Sequence, residues 1–256
     1  MKRKNLTPTY FIALLALCGC STAPNADESR LFEQAEVAFA SATDSEDYIR
    51  VAGTYQQLVE DGVRSPSVFF NQGNAFAKAE RYGRAIACYR QAMRLDPTAD
   101  SVRSNLQTAM RKTGAVQPAG DWLQQVFFWQ DWTSYASKFY LATALLSLAA
   151  CSIVLARRKP GAVASRTAVF LSGLAIIAIS SAVYDWYRFE RIVSGTVVES
   201  NVTPRTGNGE NYEPAFNQPL PEGTAVTIAE ERGDWLRIFV KGTGNGWIQR
   251  DTTVIY

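Results

Sequence analysis

The sequence predicts a multidomain membrane protein: all-α helical hairpins, then a two-helix transmembrane hairpin, then a small all-β barrel at the C-terminal end. Three patterns predict it. Aromatic and small residues before residue 113 recur at helical spacing. Residues 133–156 and 167–187 are two apolar stretches set back to back. From residue 194 the pattern changes to short β-branched runs broken by turn residues.

The middle organises the rest. Each apolar stretch has the roughly 20 residues that an α-helix needs to cross about 30 Å of hydrocarbon. The loop between them, 157–166, carries Arg157, Arg158, Lys159 and Arg166 and no acid. The positive-inside rule puts that loop in the cytoplasm and both flanking segments across the bilayer from it. Trp129, Trp132, Tyr135, Phe139 and Tyr140 mark one outer end, and Tyr184, Trp186, Tyr187 and Phe189 the other. The competing reading is the buried helical hairpin of a soluble protein, whose helices are rarely both so long and so flanked.

Composition narrows the chemistry. The 256 residues leave room for more than one domain, and the net charge of +2 comes without a long basic tract away from the membrane-proximal clusters. Nucleic acid is therefore not an expected partner. Histidine is absent, which removes the commonest general base, His-containing triads and His-ligated metals. Cys18, Cys20, Cys88 and Cys151 have neither metal-site spacing nor evident disulfide partners. No catalytic residue, cofactor or metal site is predicted.

Residues 1–20 form a leader: Lys2-Arg3-Lys4, then the short apolar run 10–17. Leu17-Cys18-Gly19-Cys20 resembles the bacterial lipoprotein processing box, with Cys20 as the lipidated residue. Cys18 departs from the usual Ala, Ser or Thr, so cleavage after a small residue such as Ala23, or no cleavage, stays open. All three put the helical module outside the cytoplasm.

The helical module spans 28–113. Residues 66–99 strongly resemble a tetratricopeptide repeat. Phe69, Gly73, Phe76, Tyr82, Ala85, Tyr89, Ala92 and Pro97 fall on its signature sites, and Gln72 replaces the usual leucine. Gly73 and Ala85 are small where the two helices cross, and the aromatic residues fill the space around them. Ser65 is placed to cap the first helix, with Pro66 in its first turn. Residues 32–65 repeat the pattern weakly, with Tyr48, Val51, Tyr55 and Leu58 in register and Phe39 in place of the packing glycine. Residues 100–113 read as a capping helix that stops at Gly114. By analogy with the family, Phe70, Asn71, Asn74, Ala77 and Lys78 line the concave groove. Asn71 and Asn74 either donate to a peptide or are simply solvated polar residues. Cys88 reads as a small packed residue. Residues 119–132 suit an interfacial aromatic helix, with a ligand-binding surface as the other reading.

In the C-terminal module, 194–256, the expected strands are 195–199, 225–230, 235–239, 246–249 and 253–256, enough for an SH3-like barrel. Pro221-Glu222-Gly223, Gly233-Asp234-Trp235 and Gly246-Trp247-Ile248 resemble the recurring marks of bacterial SH3 (SH3b) domains. Tyr212, Phe216 and Tyr256 are candidates for a surface groove. Trp235 and Trp247 are either groove or framework.

The order of leader, helical repeats, two spans and SH3b domain resembles the BatE-type proteins of the Bacteroides aerotolerance operons. That resemblance implies a non-enzymatic protein of the bacterial inner membrane, with both modules on the extracytoplasmic side. Its implied partners are von Willebrand A-type membrane proteins, a MoxR-like ATPase and peptidoglycan peptide. A transmembrane sensor that relays SH3b occupancy to a cytoplasmic partner is the alternative. A wall-processing enzyme is a third reading, against which the missing histidine and the lack of facing carboxylates speak.

Overall fold

A computed structural model of the chain describes residues 26–116, 135–158, 161–190 and 192–256. The leader with Cys20, the aromatic segment 119–132 and residues 159–160 of the basic loop lie outside the described residues.

Five helices build the first module: α1 (Ala26–Ser41), α2 (Ser45–Glu60), α3 (Pro66–Lys78), α4 (Tyr82–Leu95) and α5 (Asp100–Thr113). Each packs on the next in sequence, so neighbours share a continuous core. The start of α2 is capped by Asp44, whose carboxylate accepts the Asp47 N–H at 2.8 Å. Ser65 stands at the cap of α3 but makes no side-chain capping bond; Pro66 in the first turn, with its preset φ, starts that helix instead. Gly114 ends α5 in the left-handed region at φ 73°, where a side chain would be strained. One buried cluster gathers Val51, Tyr55, Leu58 and Val68 between α1, α2 and α3. A second gathers Phe69, Ile86, Tyr89, Val102 and Leu106 between α3, α4 and α5.

Two long helices come next, α6 (Tyr135–Arg158) and α7 (Ala162–Glu190), packed against each other. Both are long and apolar enough to cross a membrane. They extend beyond the predicted spans, so Arg157 and Arg158 stand on the last turn of α6, where positive charge suits the helix dipole. Along α6 the covered positions are Lys138, Ala142, Leu145, Ala149, Ser152 and Ala156, a three-and-four spacing. Ala168, Ala175 and Ser181 are buried on α7. Small residues at a shared face let two apolar helices approach closely, while Phe170, Ile176, Ile177 and Val183 remain on the outside.

The C-terminal module is an antiparallel sheet of β1 (Ser194–Val197), β2 (Ala225–Arg232), β3 (Trp235–Val240), β4 (Gly244–Gln249) and β5 (Thr253–Ile255). Strand order is β4-β3-β2-β1-β5, so the ladder is open between β4 and β5. Leu236, Ile238 and Val240 alternate inward along β3 and meet Val197, Val226 and Ile248 in the core. The long arm after β1 folds across the sheet: Arg205 exchanges two 2.8 Å backbone bonds with Trp247 of β4.

The helical module and the β module touch. Helix α4 packs on β1 and on the turn 221–224, although α6 and α7 separate the two in sequence.

Candidate functional site

A thirty-four-residue symmetry relates two tyrosine–asparagine pairs around the predicted groove positions. Tyr55 and Tyr89, one period apart, are each 1% exposed. Asn71 shares a side-chain hydrogen bond with the Tyr55 hydroxyl, and Asn105, one period on, shares one with Tyr89. The Asn74 carbonyl oxygen accepts from the Tyr89 hydroxyl at 2.9 Å and from the Asn105 amide at 2.8 Å. The asparagines expected to be solvated or ligand-facing are thus tied to the buried tyrosines. Phe70 lies half-buried against Tyr89, and Lys78 is exposed at the C-terminal end of α3.

Around them the packing residues have distinct tasks. A Cβ on Gly73 would come within 2.6 Å of the Tyr89 ring, which is why this site in α3 takes glycine. Phe69, Ala85, Tyr89 and Ala92 are buried, Phe76 and Tyr82 pack on the same core, and Pro97 lies just past the end of α4. Gln72, in place of leucine, is 2% exposed and satisfied. Its amide donates to Gln56 at 2.9 Å and to the Ala52 carbonyl at 3.3 Å, and its oxygen accepts from the Cys88 thiol at 3.4 Å. Burial pushes the Cys88 pKa up to about 12, so the thiol stays protonated.

The contact between modules is built from residues the sequence offers only as turn and helix positions. Glu222 accepts the backbone N–H of Gly83 in the first turn of α4, where the cap residue Arg81 supplies no side-chain bond of its own. Gly83 has no room for a side chain, since a Cβ there would meet Glu222 and, at 2.9 Å, the backbone of Val198. Gly223, at φ +87°, turns against Ile86, with Ala115 3.1 Å from where its Cβ would stand. Further along α4, Arg90 donates to the Thr196 hydroxyl at 2.8 Å, and Thr196 meets the Tyr256 hydroxyl at 2.9 Å. The second terminal nitrogen of Arg90 is buried without a hydrogen-bond partner. Burial lowers the Arg90 pKa. Arg94 lies over the Tyr256 ring at 5.9 Å.

The five candidate residues of the β module separate. Trp247 is buried with Arg232 stacked 5.5 Å from its ring, and Trp235 is half-buried at the start of β3. Tyr212 is exposed and packs its ring over Gly207, while Phe216 lies half-buried on the core. Tyr256, just after β5, faces α4 and is engaged by the helical module.

Between α6 and α7 lie two charges that the apolar pattern alone does not single out. Lys138 donates to Asp185 at 2.7 Å, with side chains only 7% and 3% exposed. A signal for them exists in the sequence: opposite charges near the outer ends of two apolar stretches have few partners other than each other. Among the described residues no group of three or more His, Cys, Asp or Glu is placed to hold a metal.

Comparison with protein families matches residues 66–99 to the tetratricopeptide repeat. Such a repeat points to a protein-binding role. No curated protein matches the chain.

Proposed function

We propose that the chain is a non-enzymatic scaffold of the bacterial inner membrane, its helical module holding a protein segment and its α6–α7 hairpin fixing it in the bilayer. One observation carries this reading: a helical repeat module and a β module, encoded on opposite sides of two apolar helices, are in contact. A hairpin that crosses the bilayer twice brings its two outer ends to one side, which is what such a contact requires. The basic end of α6 at Arg157 and Arg158 then faces the cytoplasm, and both modules face away from it.

The weak repeat at α1 and α2 extends the groove of the matched one. The β module, whose strand positions and turns resemble an SH3b barrel, adds a second surface, with Tyr212 and Phe216 open to wall peptide or a protein. Cys20, when lipidated, adds a further anchor. The resemblance to BatE-type proteins supports a role in a stress-related membrane complex with von Willebrand A-type proteins and a MoxR-like ATPase. Tethering two weak binding surfaces to one bilayer raises the effective concentration of each for a shared target.

A photo-reactive amino acid at Lys78 in cells tests the groove. The expected result is a discrete protein adduct that disappears when Asn71 and Asn105 are both changed to alanine. An adduct insensitive to those changes, or none, contradicts the reading.

A further inference from the structure

Each module has its own closed core. The buried residues of the helical module run through α1–α5, those of the β module through its strands, and no residue belongs to both. What joins the two is mostly polar: the Glu222 bond to Gly83, the Arg90–Thr196–Tyr256 chain and Arg94 over the Tyr256 ring, with the Gly223 turn against Ile86 as the apolar part. Inter-domain contacts that are largely polar and lack a shared apolar core permit relative motion.

Arg90 makes the contact weaker still. Its partners are hydroxyls, and one of its nitrogens is buried with no acceptor. A guanidinium taken out of water without a carboxylate retains much of its desolvation cost. Thr196 and Tyr256 already bond each other, so neither depends on the arginine.

We propose that this contact is a releasable clasp. In the closed form α4 occupies the face of the β module made by Thr196, Glu222, Gly223 and Tyr256. In the open form that face and the Gly83–Arg94 stripe of α4 are both free. The occupant of the face is therefore a segment of this chain, an arginine-bearing helix whose first turn needs an external cap.

The test uses the full chain in lipid nanodiscs, with spin labels on unnatural amino acids at Gln107 and Thr243, both exposed. Distance measurement is expected to give two populations, one short and one long and broad. Gly83→Ala should lower the short population about tenfold through overpacking, while amide exchange in the rest of α4 stays protected. Arg90→Met should raise the short population severalfold, because it removes the uncompensated charge and leaves Thr196 bonded to Tyr256. A single distance in the unaltered chain, short or long, overturns the proposal. So does a short population that survives Gly83→Ala, or one that Arg90→Met abolishes.

Discussion

Glu222 caps helix α4 across 139 residues of sequence, its carboxylate accepting the Gly83 N–H that the helix itself leaves unpaired. The donor belongs to the helical module and the acceptor to the β module, so a local need of one is met by the other. Glu222→Ala is expected to cost the first turn of α4 about 1 kcal/mol. Hydrogen exchange at Gly83 should accelerate accordingly, with the centre of α4 unchanged.

Gln72 occupies a site where this repeat family places leucine, and its hydrogen bonds explain how a polar residue survives there. Gln72→Leu keeps the volume but takes away the partner of Gln56 and Cys88, so it should cost about 1 kcal/mol. Gln72→Ala leaves a cavity and unpaired neighbours, and should cost roughly 2 kcal/mol or more. Denaturant unfolding of both variants in micelles, monitored through α2–α4, separates the two.

Alkali should loosen the helical module. Burial raises the pKa of Cys88 from 9.0 to about 12, and burial also raises those of Tyr55 and Tyr89 above 10.0. A raised pKa means that the folded state holds its proton more tightly than the unfolded chain. The associated stability is complete below the ordinary value and declines as pH rises through the raised one. Unfolding free energy should be flat from about pH 6 to 8 and fall from about pH 9 upward. In Cys88→Ala the onset should move to the tyrosine range, near 10.0.

The Lys138–Asp185 pair is a buried ion pair that bridges α6 and α7. Lys138→Met leaves a buried carboxylate without its counter-charge, and should weaken the helix pair by about 3–5 kcal/mol. The double change Lys138→Met with Asp185→Leu should recover most of it. Reversible unfolding in mixed micelles, with a fluorophore pair across the hairpin, measures both.

What is legible in the sequence is local. The spacing of Phe69, Gly73, Tyr89 and Ala92 marks the matched repeat because helix pairs impose small and aromatic residues at fixed intervals. The β-branched runs and glycine turns mark the five strands because each strand and turn is set by a few neighbours. Tyr55 and Asn71 sit one period before Tyr89 and Asn105, so their pairing is open to a full thirty-four-residue comparison. Glu222 with Gly83, and Arg90 with Thr196, are not. Their residue types are ordinary for a turn, a helix start and a strand, and only the packing of one module on the other brings them together. The sequence shows Asn71 and Asn74 as a polar face but not the tyrosine hydroxyls they bond, because those bonds depend on how the helices pack.

The most direct test of the scaffold is the sidedness of both modules at once. Single reporter cysteines at Gln107 and at Thr243, in a Cys88→Ser and Cys151→Ala background, are treated with a membrane-impermeant maleimide in intact spheroplasts. The parent without a reporter serves as control. A hairpin with both modules outside predicts that both positions label before lysis, to the same extent. Labelling of one with protection of the other until lysis would place the modules on opposite sides of the bilayer and contradict it.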